Sequence, residues 1–110
     1  MFWIDMTMEN KMKYLEKLEE FDELIKKDLV LVDFYAEWCG PCQMMAKELE
    51  NLEKEEKNLE IVKIDIDKFP ELTEKHFIMV VPTLKVYKNG KETNKSTGYL
   101  SKEEIKNLLV

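Results

Sequence analysis

Two cysteines, Cys39 and Cys42, are the residues of this sequence with the most reactive side chains, and they stand two residues apart in the string WCGPC. Thiol groups at this spacing can serve three purposes. They can supply half of a tetrahedral zinc site, close a small structural disulfide, or form a reversible dithiol–disulfide pair. The rest of the chain decides among these three uses.

Zinc and a structural disulfide are the weaker interpretations of the pair. A structural zinc site needs four ligands, usually thiolate or imidazole, and the chain offers only His76 besides the two cysteines. A dimer that shares two cysteine pairs stays open as an alternative, but we expect no bound metal. A disulfide across so short a loop removes little entropy from the unfolded chain, so it is a poor staple. His76 is better explained as a surface or half-buried structural residue.

The redox interpretation fits the position of the pair, which falls where a buried strand ends and a long helix begins. At the helix start, free backbone N–H groups and the helix dipole lower the pKa of Cys39 and make it the attacking, outward-facing sulfur. Cys42 steps in helical phase with Met45 and Leu49, which directs it toward the core as the shielded, resolving thiol.

The two residues between the cysteines also matter. Gly40 carries no side chain that would hinder a substrate backbone, and Pro41 fixes φ where the first helical turn has no N–H bond to lose. A stiff turn favours the dithiol form, so we expect the pair to be reducing rather than oxidising.

The elements that position this pair are predicted from hydrophobic patterning and turn signals. LVLVDFYA is a continuous apolar run with one acid, which is typical of a strand buried on both faces. Ser101 and Glu104 form a capping box that starts the last helix. The predicted elements are an edge strand at 12–17, a helix at 19–27, a strand at 29–36, a helix from the cysteines to about 57, a strand at 59–67, a helix at 69–77, a hairpin at 83–96 that turns at Asn89–Gly90, and the helix after Ser101. The order β-α-β-α-β-α-β-β-α predicts an α/β fold with a mixed sheet.

Composition limits the classes of partner. The 110 residues fit one domain, and a net charge of -6 argues against nonspecific nucleic-acid binding and against docking on anionic lipid. No stretch approaches the length of a membrane helix. The start MFWIDMTMENKMK lacks the features of a secretory signal, so we expect a cytoplasmic, reducing location, where a C-x-x-C pair is more often catalytic or metal-binding than structural.

Around these residues the sequence resembles the thioredoxin family. The resemblance is carried by VDFYAEWCGPC (32–42), VKIDID (62–67), VPTLKVYKNG (81–90) and TGYLSKEEI (97–105), and it covers residues 12–110. It implies the thioredoxin fold, a central mixed five-stranded sheet flanked by four helices. It also implies a thioredoxin domain at 12–110 that is preceded by an extension of unknown role at 1–11.

The activity that the resemblance implies is protein-disulfide reduction. Cys39 would attack the target disulfide, and Cys42 would then attack Cys39, leaving a Cys39–Cys42 disulfide. No bound cofactor is expected, because a thioredoxin reductase would supply the electrons. The expected partners are that reductase and proteins that carry disulfides, with no nucleic acid and no membrane. The protein would act as a monomer in electron transport and cell redox homeostasis.

The resemblance also implies further site residues. Asp33, whose pKa burial should raise, would relay a proton to or from Cys42, with Lys63 on the neighbouring strand as its partner. Pro82 would follow a cis bond from Val81. Asp67 would hold Tyr35 or Trp38 in place. An apolar rim for docking substrates would comprise Trp38, Gly40, Pro41, Ile66, Val80, Val81, Pro82, Gly98 and Tyr99.

Four positions depart from the family pattern. Tyr35 stands where tryptophan is common, Gln43 where a basic residue often follows the second cysteine, Lys47 where a proline often kinks the helix, and Val80 where glycine is frequent. Lys47 predicts a straighter helix, and Val80 predicts a narrower rim around the cysteines. Two alternative functions stay open: a thiol oxidase or isomerase of the same fold, and a non-enzymatic subunit or regulator that binds partners through the same rim.

Overall fold

The computed structural model describes residues 12–110, and its elements follow one another in the predicted order. The strands are β1 (Met12–Tyr14), β2 (Leu29–Tyr35), β3 (Glu60–Asp65), β4 (Thr83–Lys88) and β5 (Lys91–Thr97). The helices are α1 (Phe21–Leu24), preceded by a 3-10 turn at Leu18–Glu20, α2 (Gly40–Glu55), α3 (Pro70–Lys75) and α4 (Lys102–Leu109). The expected extension at 1–11 lies outside the described residues.

The five strands form one mixed sheet in the order β1-β3-β2-β4-β5. Strands β1 and β2 run parallel to β3, whereas β4 runs antiparallel to both β2 and β5. The predicted fold class, a mixed five-stranded sheet flanked by four helices, is therefore confirmed. Strand β2 lies at the centre, so the segment with the two cysteines that follows it starts from the middle of the sheet.

Strand β2 is buried on both faces, as its apolar run predicts. Leu31 belongs to a core layer that includes residues of α2 and α4, such as Met45 and Ile105. Val32 and Phe34 point to the opposite layer, which includes Phe21 and Leu72. Because successive side chains of a strand point to opposite faces, two cores hold this one strand in place.

Several elements are shorter than the sequence predicts. Strand β3 covers Glu60–Asp65 instead of 59–67, and helix α3 covers Pro70–Lys75 instead of 69–77. Helix α1 covers four residues instead of the predicted 19–27, because its apolar spacing spans only one turn. The edge strand ends at Tyr14 instead of residue 17, although the N–H of Leu15 still donates to the carbonyl of Lys63 at 2.9 Å. None of these differences changes the topology.

The turn and cap predictions are confirmed. Asn89 and Gly90 both have positive φ, 53° and 87°, as a type I′ turn requires. The side chain of Ser101 accepts from the N–H of Glu104, and the carboxylate of Glu104 accepts from the N–H of Ser101. This pair of bonds is the predicted capping box. At the C-terminal end of α2, Glu55 forms ion pairs with Lys102 and Lys106 of α4, which connect the two helices.

Within residues 12–110, no helix combines the length and the apolar composition that crossing a membrane would require.

Candidate active site

The two cysteines are joined as a disulfide at the N-terminus of α2. Cys39 is the N-cap residue of that helix, and its sulfur accepts from the N–H of Cys42 at 3.2 Å. Pro41 lies in the first turn, where its missing N–H costs nothing. This arrangement directs a free backbone donor and the positive end of the helix dipole at Cys39, which are the two features that stabilise a thiolate.

The predicted contrast between an outward Cys39 and a shielded Cys42 is wrong for the disulfide form. Cys39 is 5% exposed and Cys42 is 2% exposed, so both are buried. The cover over Cys39 comes from Val81, whose carbonyl oxygen lies 3.7 Å from the Cys39 sulfur. Helix phase alone does not reveal this cover, because it comes from a segment about forty residues away in the sequence.

Asp33 is fully buried in the middle of β2. Burial raises its pKa from 3.8 to about 6, and the ammonium of Lys63 restrains the rise. Lys63 lies directly across in β3, with its Nζ 3.6 Å from a carboxylate oxygen of Asp33. At that separation neither carboxylate oxygen has a hydrogen-bond partner among the described residues. The sequence-based expectations of a buried acid, a raised pKa and a Lys63 partner agree with this geometry.

The strand alternation sets where Asp33 points. It lies between Leu31, which packs in the core layer of α2, and Tyr35, which packs against the small cluster of Ala36, Cys39 and Cys42. Asp33 therefore faces the layer that carries the cysteines. The Asp33 carboxylate, which is costly to bury in its charged form, therefore lies on the same side of the sheet as the two cysteines.

A second segment approaches the cysteines through Pro82. The Val81–Pro82 peptide bond is cis, as the family resemblance implies. The carbonyl of Pro82 accepts from the N–H of Gly98 at 2.8 Å, and Gly98 has a φ of 87°, where a Cβ would be strained. The start of β4 and the end of β5 therefore meet, and Val81, which precedes Pro82, lies against Cys39.

The rim predicted around the pair is strongly exposed at its large side chains. Trp38 is 69% exposed, Val80 is 51% exposed and Tyr99 is 39% exposed. Trp38 donates from its indole nitrogen to Asp67 at 2.9 Å, so of the two predicted partners of Asp67 the tryptophan is the one that it holds. Ile66 and Val81 are partly buried against the cysteine cluster.

Sequence reasoning missed two exposed apolar side chains in the segment before Pro82. Phe77 is 79% exposed and Met79 is 89% exposed. The signal was present in the string HFIMVVP, where apolar residues continue past the end of α3 into a loop. These side chains extend the apolar surface of the segment that includes Val80.

Two of the departures from the family pattern have clear structural outcomes. Helix α2 runs without interruption through Lys47, as predicted for a helix that lacks the proline. Gln43 donates its side-chain amide to the carbonyl of Glu37 at 2.9 Å, so it fastens the loop before Cys39 instead of adding a charge.

His76 takes the structural role expected of it. It lies half-buried at the end of α3, with its ring against those of Phe21 and Phe34, and its Nδ1 lies 3.0 Å from Nζ of Lys85. Burial, assisted by Lys85, lowers its pKa. Over the described range 12–110, no three His, Cys, Asp or Glu side chains are grouped so that they could hold a metal ion.

Comparison with known proteins adds independent observations. The family model described as Thioredoxin matches residues 12–110. A thioredoxin of Chlamydia trachomatis serovar D is 42% identical over 91 residues, which cover 83% of this chain and 89% of that protein. A thioredoxin of Mycoplasmoides gallisepticum is 35% identical over 99 residues, covering 89% and 99% of the two chains.

Solved structures give the same result for the fold. A mutant thioredoxin from Halobacterium salinarum NRC-1 superposes with a TM-score of 0.84 at 32% identity, over 90% of this chain and 88% of that one. Plasmodium falciparum thioredoxin superposes with a TM-score of 0.81 at 40% identity, over 88% of this chain and 95% of that one.

Proposed function

Because this chain belongs to the thioredoxin family, it is a thiol-disulfide oxidoreductase that reduces protein disulfides, and we propose that Cys39 is its nucleophile and Cys42 its resolving thiol. The observation that carries the assignment of roles is the position of Cys39 at the N-cap of α2. There the N–H of Cys42 points at its sulfur. Cys42 lies inside the helix, among residues that face the core.

The reaction proceeds by two exchanges. The Cys39 thiolate attacks one sulfur of the target disulfide; a Cys39–target disulfide forms and the other target sulfur leaves as a thiolate. Cys42 then loses its proton and attacks the Cys39 sulfur, which closes the Cys39–Cys42 disulfide and releases the second target sulfur. Two electrons pass from the dithiol to the target, and the released thiolates take up protons according to their pKa.

Asp33 is the proposed acceptor of the Cys42 proton, with Lys63 as its ion-pair partner. The support is a buried carboxylate on the cysteine side of β2 whose pKa is raised to about 6, close enough to neutrality for proton transfer at physiological pH. A carboxylate with an ordinary pKa near 4 would be a much weaker base.

Substrates are proposed to dock as extended segments against the rim. Pro82 contributes the cis bond that presents the Val81 backbone, and the N–H of Gly98 donates a hydrogen bond to the Pro82 carbonyl. The apolar contacts are assigned to exposed or partly buried residues around the disulfide, namely Trp38, Gly40, Pro41, Ile66, Val80, Val81 and Tyr99. Exposed aromatic and aliphatic side chains of this kind are typical of surfaces that bind proteins.

The cellular setting is also part of the proposal. A thioredoxin reductase returns the disulfide to the dithiol, no cofactor binds to the chain itself, and the protein works as a monomer in the cytoplasm, in electron transport and redox homeostasis. The support comes from the family, which normally lacks a bound cofactor. The domain is assigned to 12–110, with 1–11 as an extension.

The test is insulin reduction with dithiothreitol, and with a thioredoxin reductase as electron donor. Wild-type protein should be active in both assays. Cys39→Ser should abolish turnover, because the attacking sulfur is gone. Cys42→Ser should also stop turnover but accumulate a mixed disulfide, which mass spectrometry detects as an adduct of the target. The double variant Cys39→Ser/Cys42→Ser is the matched control and should form no adduct.

The same variants separate the alternative functions. If Cys39→Ser rather than Cys42→Ser trapped the adduct, the assigned roles would be reversed. A measured reduction potential above about -200 mV would favour the oxidase or isomerase, since oxidising relatives lie in that range. Partner binding that survives in the double variant, without reductase activity of the wild type, would favour a non-enzymatic subunit.

A further inference from the structure

One row of side chains crosses the sheet from its edge to its centre. Tyr14 of β1 is the register partner of Lys63 in β3, and Lys63 is the register partner of Asp33 in β2. Side chains in register on adjacent strands point to the same face of a sheet. The edge residue Tyr14 is therefore connected to the buried acid through a single intervening lysine.

Tyr35 completes an aromatic enclosure around that lysine. The Nζ of Lys63 lies 4.6 Å from the ring centroid of Tyr35 and 5.6 Å from that of Tyr14. The two rings meet edge to face, with centroids 6.2 Å apart and planes at 83°. Both distances to Nζ are within the range of about 6 Å over which a cation is attracted to an aromatic ring.

The two rings and Lys63 line one surface cavity. A surface cavity of about 320 Å³ is lined by Tyr14, Tyr35, Lys63 and Cys42, with Gln43 and Ala46 of α2. Tyr14 is 52% exposed, whereas Lys63 is 4% exposed. A lysine stem is long enough to turn its charge toward water when nothing holds it inside. At this cavity both rings lie within cation–π distance of the ammonium.

We propose that Tyr14 and Tyr35 are positioning residues that hold the ammonium of Lys63 beside the carboxylate of Asp33. This inference rests on the proposed function, in which Asp33 accepts the proton of Cys42. Tyr35 also packs against the cysteine cluster, but the proposed role of both tyrosines is exerted on Lys63 and not on the sulfur atoms. They act through Lys63, by cation–π attraction at the wall of the cavity.

Among residues 12–110, six ionisable groups surround this cage. Lys63 and Asp65 come from β3, Asp33 and the phenol of Tyr35 from β2, the phenol of Tyr14 from β1, and Glu37 from the loop before α2. Helix α2 contributes Cys42, which is in the disulfide, and the uncharged Gln43 and Ala46. Burial raises the pKa of Tyr35 to about 12, with Asp65 adding to the effect, so this ring stays neutral while Asp33 titrates.

Loss of the cage should therefore act on Asp33 in one direction. The charge of Lys63 opposes the rise of the Asp33 pKa that burial causes. If the ammonium turns toward solvent, that opposition weakens and the Asp33 pKa rises further. Proton transfer from Cys42 would then have its pH dependence displaced toward higher pH.

The experiment uses the full chain in its disulfide form, so that the cysteines do not titrate. The pKa of Asp33 is measured from its carboxyl carbon by NMR in wild type, Tyr14→Leu and the matched control Tyr14→Phe. We expect Tyr14→Leu to raise the pKa by about half a unit, which corresponds to the energy of one exposed cation–π contact. Tyr14→Phe keeps the ring and should leave the pKa unchanged. Tyr35→Leu and Tyr35→Phe form a second pair with the same expectation.

A double-mutant cycle shows whether the tyrosine acts through Lys63. In a Lys63→Met background, Tyr14→Leu should no longer move the Asp33 pKa. The proposal is overturned if the shift persists in that background, which would make Tyr14 a cover against water, or if neither leucine variant moves the pKa. Insulin reduction by the wild type is a separate readout: its failure would contradict the proposed function and leave the cage result standing.

Discussion

At the scale of single residues, the buried Asp33 makes the stability of the fold depend on pH. Its pKa rises from 3.8 to about 6 on folding, so the folded chain binds more protons than the unfolded chain between these values. The contribution of Asp33 to stability is therefore most favourable below pH 4. It declines as the pH rises through 6, by on the order of 3 kcal/mol in total.

Substitution of this acid gives a first prediction. Asp33→Asn should raise the free energy of unfolding at pH 8 by about 1–3 kcal/mol, because the neutral amide avoids the cost of burying a charge. The gain is limited because the amide also lacks hydrogen-bond partners in the core. The difference from wild type should vanish near pH 4. Denaturant unfolding of the disulfide form at pH 4, 6 and 8 measures it.

The matched control for that measurement is Asp28→Asn, since Asp28 is exposed in the loop before β2. It removes the same formal charge without altering a buried group. An equal gain in stability at pH 8 for both variants would mean that relief of the overall negative charge, and not the burial of Asp33, causes the effect.

The hydrogen bond between Trp38 and Asp67 gives a second prediction. Asp67→Ala should free the exposed indole and raise KM for protein disulfides about five-fold, a loss of about 1 kcal/mol. Reduction of a small aromatic disulfide, which needs little of the rim, should be nearly unchanged. Asp67→Asn keeps an acceptor and should stay close to wild type, so an equal loss in both variants would contradict a positioning role for this bond.

The sequence predicted these residues unequally. The cysteine pair, the buried Asp33 and its Lys63 partner follow from local pattern and from resemblance to the family. The cover of Cys39 by Val81 and the selection of Trp38 by Asp67 depend on how distant loops meet. Tyr14 was missed for the same reason, since its relation to Asp33 exists only across three strands.

At the scale of elements, the end of α3 shows an unusual choice of residue. The N–H of Ile78 donates to the carbonyl of Thr73, and that of Phe77 to the carbonyl of Glu74, each at 3.0 Å, which is the Schellman pattern. In this pattern the residue after the cap takes a left-handed conformation, and Phe77 does so with a φ of 55°. Glycine normally fills such a position, because a Cβ is strained there.

A third prediction follows for that helix end. Phe77→Gly should raise the free energy of unfolding by about 0.5–1 kcal/mol, because relief of left-handed strain exceeds the added entropy of the unfolded chain. Little packing is lost, since the phenylalanine side chain is largely exposed. Thermal unfolding at neutral pH measures the change.

The control is Met79→Gly, two residues further on. Met79 is also highly exposed, but its φ is not positive. Here only the entropic cost of glycine remains, so the variant should be equal to or less stable than wild type. A gain at Met79 as large as that at Phe77 would rule out left-handed strain as the cause.

Element order and type could be predicted almost completely from the sequence, and the boundaries less well. Strand β2 and helix α2 have long, regular patterns, and the cap at Ser101 and the turn at Asn89–Gly90 have specific signals. Helix α1 and strand β1 end early because a few apolar positions do not define where a short element stops. Tertiary contacts, such as the bond from Leu15 to Lys63, decide it instead.

At the scale of the whole molecule, the two edges of the sheet differ from its centre. Strand β5 is polar, with sequence KETNKST and mostly exposed side chains, and β1 is only three residues long. Lysines and short strands are common means of preventing edge-to-edge pairing between chains. A net charge of -6 adds repulsion between copies. These features support the proposed monomer.

The proposed domain boundary gives a fourth prediction, also for the molecule as a whole. A chain that starts at Met12 should keep its melting temperature within about 2 °C, a change of less than 1 kcal/mol for a domain of this size. It should also keep its rate of insulin reduction. Calorimetry and the insulin assay on full-length and shortened chains test this. A large loss of melting temperature or of activity would show that residues 1–11 belong to the functional domain.

The short strand β1 has a consequence for motion. An edge strand of three residues can detach at a free-energy cost well below that of global unfolding. Each such opening would carry Tyr14 away from Lys63, so the acid beneath the disulfide would alternate between two electrostatic settings. Amide hydrogen exchange of Lys13 and Tyr14 would measure how often this opening occurs.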